Sequence, residues 1–138
     1  MFSPGDTQLY SGIFDDPAIV AEIKQAAETI RKSMVQSGEL HAGLVAQTTP
    51  QSLNQMIRWV MTKEEHCTKI ITAISEYCLC QRVKKEVFAS DTDYVDALKA
   101  HHAVMQKAVK CKQSVDPADA DALDHAIDDF SKMYLPKE

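Results

Sequence analysis

The chain has 138 residues, a net charge of −5, and 45% apolar and 25% charged side chains, the profile of one globular domain around a single core. An acidic balance of this kind gives no general attraction to nucleic acid or to an anionic membrane. No stretch approaches the roughly 18 apolar residues of a membrane span, and the opening MFSPGDTQLYSGIFDDP lacks the basic start and apolar run of a secretory signal. Four cysteines, Cys67, Cys78, Cys80 and Cys111, show no disulfide framework and no Cys-x-x-Cys pair. Reduced thiols in a cytoplasmic protein are therefore expected.

Residues 1–15 carry Pro4, Gly5 and Gly12 without sustained periodicity and read as an extended arm. Its apolar members Leu9, Tyr10, Ile13 and Phe14 call for anchoring, on the arm's own domain or on a partner. Asp16-Pro17 is a strong helix start, a capping carboxylate followed by the preset φ of proline. Ile19, Val20, Ile23, Ala27, Ile30 and Met34 mark the apolar face, and Gly38 is expected to close the helix. Residues 39–49 are ambiguous between an apolar loop and a helical turn.

Thr49-Pro50 repeats the cap-and-proline start, with Leu53, Met56, Ile57 and Val60 as the following face. Thr62-Lys63-Glu64-Glu65 has capping-box spacing, so a new helix is expected there, running to Phe88 as the longest and most central. Its stripe is Ile70, Ile71, Ile74, Tyr77 and Cys78, with Arg82, Lys84 and Lys85 placed to suit the negative end of the dipole. Ala89 to Thr92 supply the next turn and cap, and Tyr94, Val95, Leu98, His102, Met105 and Val109 form the following stripe. Asp116-Pro117 opens a last helix through Ala120, Leu123, Ile127, Phe130 and Tyr134, stopped before Pro136. The whole predicts an all-α protein. Residues 16–136 make a compact bundle of about five amphipathic, mostly antiparallel helices behind the 1–15 arm.

Chemical signatures are sparse. Glu-x-x-His spacing, which places two ligands on one helix face of a di-metal bundle, is absent, as is His-Glu-x-x-His. Cys78 and Cys80 would lie about 200° apart on a regular helix and could not chelate one ion together. Glycine loops that cradle phosphate are missing too, since the chain has only four Gly. Looser groupings are His66, His101 and His102, and His125 with Asp121 and Asp128, as interhelical ligands of a metal-binding or redox bundle. The favoured expectation is instead a non-enzymatic interaction module with no cofactor, which binds another protein or itself through an apolar helix face. Met56, Trp59, Val83, Val87, Phe88, Tyr10 and Phe14 are its candidate contacts, because Trp and Met are enriched at interfaces and the long helix is apolar on more than one side near its end. Nucleic-acid binding and membrane insertion are not expected.

Overall fold

The structure, a computed structural model, describes residues 13–136. Four α-helices follow in order: α1 Pro17–Ala46, α2 Pro50–Thr72, α3 Asp91–Lys112 and α4 Pro117–Ser131. No strand occurs among the described residues, so the all-α expectation holds while about five helices become four. No helix among them is long and apolar enough to cross a membrane.

Each helix begins where a short oxygen-bearing side chain takes a free first-turn amide. Asp16 Oδ1 accepts from the Ile19 amide at 3.3 Å and Thr49 Oγ1 from Ser52 at 3.1 Å. Ser90 Oγ accepts from Asp93 at 3.1 Å and Asp116 Oδ1 from Ala118 at 2.9 Å. Packing then closes a ring, α1 on α2 and α4, and α3 on α2 and α4. Lys32 lies over Trp59 while Asp16 meets Tyr77, so α1 and α2 are antiparallel. Cys111 and His101 of α3 reach Asp119 and Tyr134 at opposite ends of α4, which makes that pair antiparallel as well. Ile23, Ile30 and Met34 of α1 meet Cys67, Ile70, Val104, Leu123, Ile127 and Phe130 in the shared core.

Three boundary expectations are corrected. The first is the stop at Gly38: α1 passes through Gly38 and Gly43 and ends at Ala46. α2 folds back antiparallel along the same turns, and this pairing outweighs the roughly 1 kcal/mol that glycine costs in a helix. No residue from 38 to 61 is buried, because α3 ends beside Lys63 and the hairpin of α1 and α2 extends past it. A Cβ added at Gly38 or Gly43 meets nothing within 4 Å. Gly38→Ala and Gly43→Ala should therefore each stabilise the protein by about 0.5–1 kcal/mol, read as a higher urea midpoint at unchanged slope.

The second correction is the break at Thr62, which does not occur, since α2 runs unbroken from Pro50 to Thr72. Inside a helix the same four residues take other partners. The Thr62 carbonyl is 2.8 Å from His66 Nδ1, and buried Lys63 donates from Nζ to the carbonyls of Cys111 at 2.6 Å and Lys112 at 2.8 Å. A lysine of α2 thus satisfies the orphan carbonyls at the end of α3.

The third concerns the helix expected to reach Phe88. After Thr72 the chain widens into a π-helical turn, Ala73–Leu79, closed by Cys80 N–Ser75 O and Val83 N–Cys78 O bonds of 3.0 Å each. It then leaves the helix, makes a short 3₁₀ turn at Lys85–Val87 and brings Phe88 back against Phe14 and Tyr94. Val83, Val87 and Phe88 depart from the helical stripe because they are not helical continuations of it.

Candidate functional site

The described chain enters the bundle at the end where α2 gives way to the π turn, and there the polar groups converge. Backbone bonds fasten the entry to the final turn, Phe14 N to Met133 O at 3.0 Å and Asp16 N to Tyr134 O at 2.7 Å. Asp15 bends the strand of chain between them with a φ of 45°, a left-handed conformation that Asp tolerates better than most residues. Phe14 stacks on Tyr134 with ring centres 4.8 Å apart.

Asp16 is the centre of the cluster. While Oδ1 caps α1, Oδ2 accepts the Tyr77 hydroxyl and lies 3.2 Å from Arg82 Nη2. Arg82 Nη2 also donates to Tyr77 Oη at 2.6 Å, and Nη1 to the Phe14 carbonyl at 3.4 Å. The π turn explains this meeting. Side chains five residues apart on a regular α-helix point about 140° apart, whereas the widened turn and the exit from the helix after Leu79 let the Tyr77 and Arg82 side chains meet. The bond to Asp16 holds the Tyr77 hydroxyl above its ordinary pKa, so it keeps its proton near neutrality. Removing the carboxylate in Asp16→Ala takes away a helix cap and a charge-assisted partner together. About 2 kcal/mol of stability should be lost, as measured by urea denaturation, and Asp16→Asn should recover part of it by restoring the cap.

Beneath this cluster lies a buried relay. His101 Nδ1–H donates to the Ala97 carbonyl at 2.7 Å, which leaves Nε2 to accept from Tyr134 Oη at 2.8 Å. Burial pushes His101 down to about 4. Burial, and then Cys78, hold Tyr134 far above its ordinary range. The three buried thiols are pushed up in the same way, Cys67 to about 12 and Cys78 and Cys111 to about 11, with burial the largest cause each time. All of these groups are neutral at pH 7.

Two clefts flank Tyr77. The larger, about 760 Å³, is lined by Asp16, Glu22, Glu65 and Glu76 against Lys69, and its acidic wall disfavours an anion. The smaller, about 340 Å³, is lined by Phe14, Tyr77, Gln81, Arg82, Lys84 and Val87. It offers two cations and a hydroxyl, the surroundings a small anion prefers, on a chain whose net charge is −5.

The candidate ligands are scattered. His101 is buried with both ring nitrogens engaged, His66 is half-buried, and His102 and His125 are exposed. Asp121 pairs with Arg31 at 2.7 Å, and Asp128 lies 4.0 Å from Lys24. Among the described residues no three His, Cys, Asp or Glu side chains form a group able to hold a metal ion. Of the candidate contacts, Val83 is buried in the core and Phe14 and Phe88 pack against it. Met56 and Trp59 are half-buried, the Lys32 ammonium lying 5.8 Å from the centre of the Trp59 ring, while Val87 is exposed. Tyr10 lies outside the described residues. Sequence reasoning missed the Asp16–Tyr77–Arg82 cluster, having read the three as cap, core stripe and dipole partner; no local signal joins them.

The sequence model of the family described as nickel-containing superoxide dismutase matches residues 6–137, nearly the whole chain. No curated protein and no solved structure matches it. This match overturns the expectation of a non-enzymatic adaptor or interaction module, because the family is one of redox enzymes. It favours the alternative of a metal-binding or redox bundle.

Proposed function

Because the chain belongs to the nickel-containing superoxide dismutase family, we propose that it disproportionates superoxide. Two superoxide radicals and two protons become one dioxygen and one hydrogen peroxide, one radical losing an electron and the other gaining it. The observation that carries this reading is the family match over residues 6–137, which spans all four helices. Nickel, when bound, supplies the one-electron couple that such a reaction needs.

The described side chains do not fit that metal. Nickel favours imidazole and other nitrogen donors, and a thiol must lose its proton to bind a metal. Here the three buried thiols are held protonated and the buried imidazole has no free nitrogen. No step is therefore assigned to a metal within the bundle.

The chain's own contribution is electrostatic. Arg82 is compensated by Asp16, so Lys84 supplies most of the positive field at the cleft beside Tyr77, which draws in an anion and raises its encounter rate. Tyr77 keeps its proton on Oη, directed toward Asp16. The reading is tested by following superoxide decay with the full-length protein produced in nickel-supplemented medium. Decay faster than spontaneous, proportional to protein and lost with chelator, supports it; spontaneous decay in every metal state overturns it. Lys84→Glu should lower the second-order rate constant about 2- to 5-fold at low ionic strength, and the difference should close as salt screens the field.

A further inference from the structure

We infer that the thiols and imidazoles of this chain do not fit the nickel that its family name implies, so that none of them is a ligand of that metal. This rests on the family match behind the dismutase reading, and it leaves that reading without a nickel centre among the thiols and imidazoles of the bundle. The nine side chains concerned are four cysteines and five histidines.

The cysteines are committed elsewhere. Cys67, Cys78 and Cys111 have 0% exposure and belong to the hydrophobic core. The Cys111 thiol donates to the Asp119 carbonyl at 3.4 Å. Ionising any of them would place a charge in the apolar interior, and burial drives their pKa values in the opposing direction. Cys80 is exposed but belongs to no group of three metal-competent side chains among the described residues.

The histidines fare no better. His101 has spent both nitrogens on Ala97 and Tyr134, and His66 has turned Nδ1 back onto its own helix. His41, His102 and His125 are exposed and also join no such group. The amino-terminal residues within the family match do not repair the deficit. Residues 1–12 read MFSPGDTQLYSG and contain neither cysteine nor histidine. A redox nickel protein would be expected to concentrate such donors, and this one distributes them through its core and surface.

The experiment uses the full-length protein produced with nickel and desalted, and it takes three readings from one sample. Nickel per chain is measured by elemental analysis, thiol reactivity with a disulfide reagent before and after adding one equivalent of Ni²⁺, and superoxide decay in parallel. The expected result is prompt reaction of Cys80 alone, release of the other three thiols only on unfolding, and no change with Ni²⁺. Cys80→Ser, His66→Gln, His102→Gln and His125→Gln should each keep the nickel content of the unaltered chain, even where that content is nil. Protection of any thiol by Ni²⁺, or loss of nickel in any helical variant, overturns the inference. Thiol protection needs no substitution, so a variant that fails to fold leaves the test intact. Superoxide decay separates the two conclusions. Nickel bound through thiol or imidazole together with catalysis sinks the inference and keeps the dismutase reading. Unprotected thiols with only spontaneous decay do the reverse.

Discussion

Phe130→Ala should lower the free energy of unfolding by about 3–5 kcal/mol, the largest effect expected from a single truncation in this bundle. The ring is completely buried. It stands edge-on to His101 with centres 5.1 Å apart and lies 4.7 Å from Tyr134. Its removal would open a void beside the hydrogen bond between those two residues, and helices on both sides hold the walls apart. Phe130→Leu fills most of the space and should cost about 1 kcal/mol. Urea denaturation followed by far-ultraviolet circular dichroism gives both values. Equal small losses in the two variants would mean that the site collapses freely and that the ring is not a keystone.

Acid should weaken the protein through His101. Its folded pKa of about 4 lies below the ordinary imidazole value of 6.5, so between these values the unfolded chain binds the proton more readily. Stability is fully present above about pH 6.5 and falls as pH drops toward 4. A shift of this size corresponds to a loss on the order of 3 kcal/mol. Protonating Nε2 would also remove the acceptor of the Tyr134 hydroxyl. The ion pairs of Asp16 with Arg82 and of Asp121 and Asp124 with Arg31 do not involve position 101. His101→Gln keeps those pairs, so the comparison isolates the imidazole. Denaturation at neutral pH and near pH 4.5 should show a clearly smaller loss in His101→Gln than in the unaltered chain. Parallel slopes would refute the assignment.

The dismutase reading and the donor chemistry meet in one measurable question, namely where the electron-storing metal sits. The cleft beside Tyr77 is lined by Arg82 and Lys84, while the core keeps its thiols protonated. Both features belong to the same few turns, since the π turn that buries Cys78 runs directly into the segment carrying Arg82.

The sequence by itself determined the helical class and most of the starts. Asp16-Pro17, Thr49-Pro50 and Asp116-Pro117 are local events, in which one side-chain oxygen and one fixed φ act within three residues, so they need no partner to be legible. The stripes through Ile23, Ile30 and Leu123, Ile127 were equally plain, because helical period alone decides which side is apolar. Tertiary structure decided where helices stop. Gly38 and Thr62 carry stop and start chemistry, but at both places antiparallel packing against neighbouring helices holds the chain helical. It also decided that Lys63, a surface residue by type, is buried as the cap of another helix, and that a widened turn brings Arg82 to Tyr77 and Asp16. The contacts of Lys63 with Cys111 and Lys112, and of Asp16 with Tyr77 and Arg82, join residues about 50 to 70 positions apart, and their energy comes from groups that no local window contains.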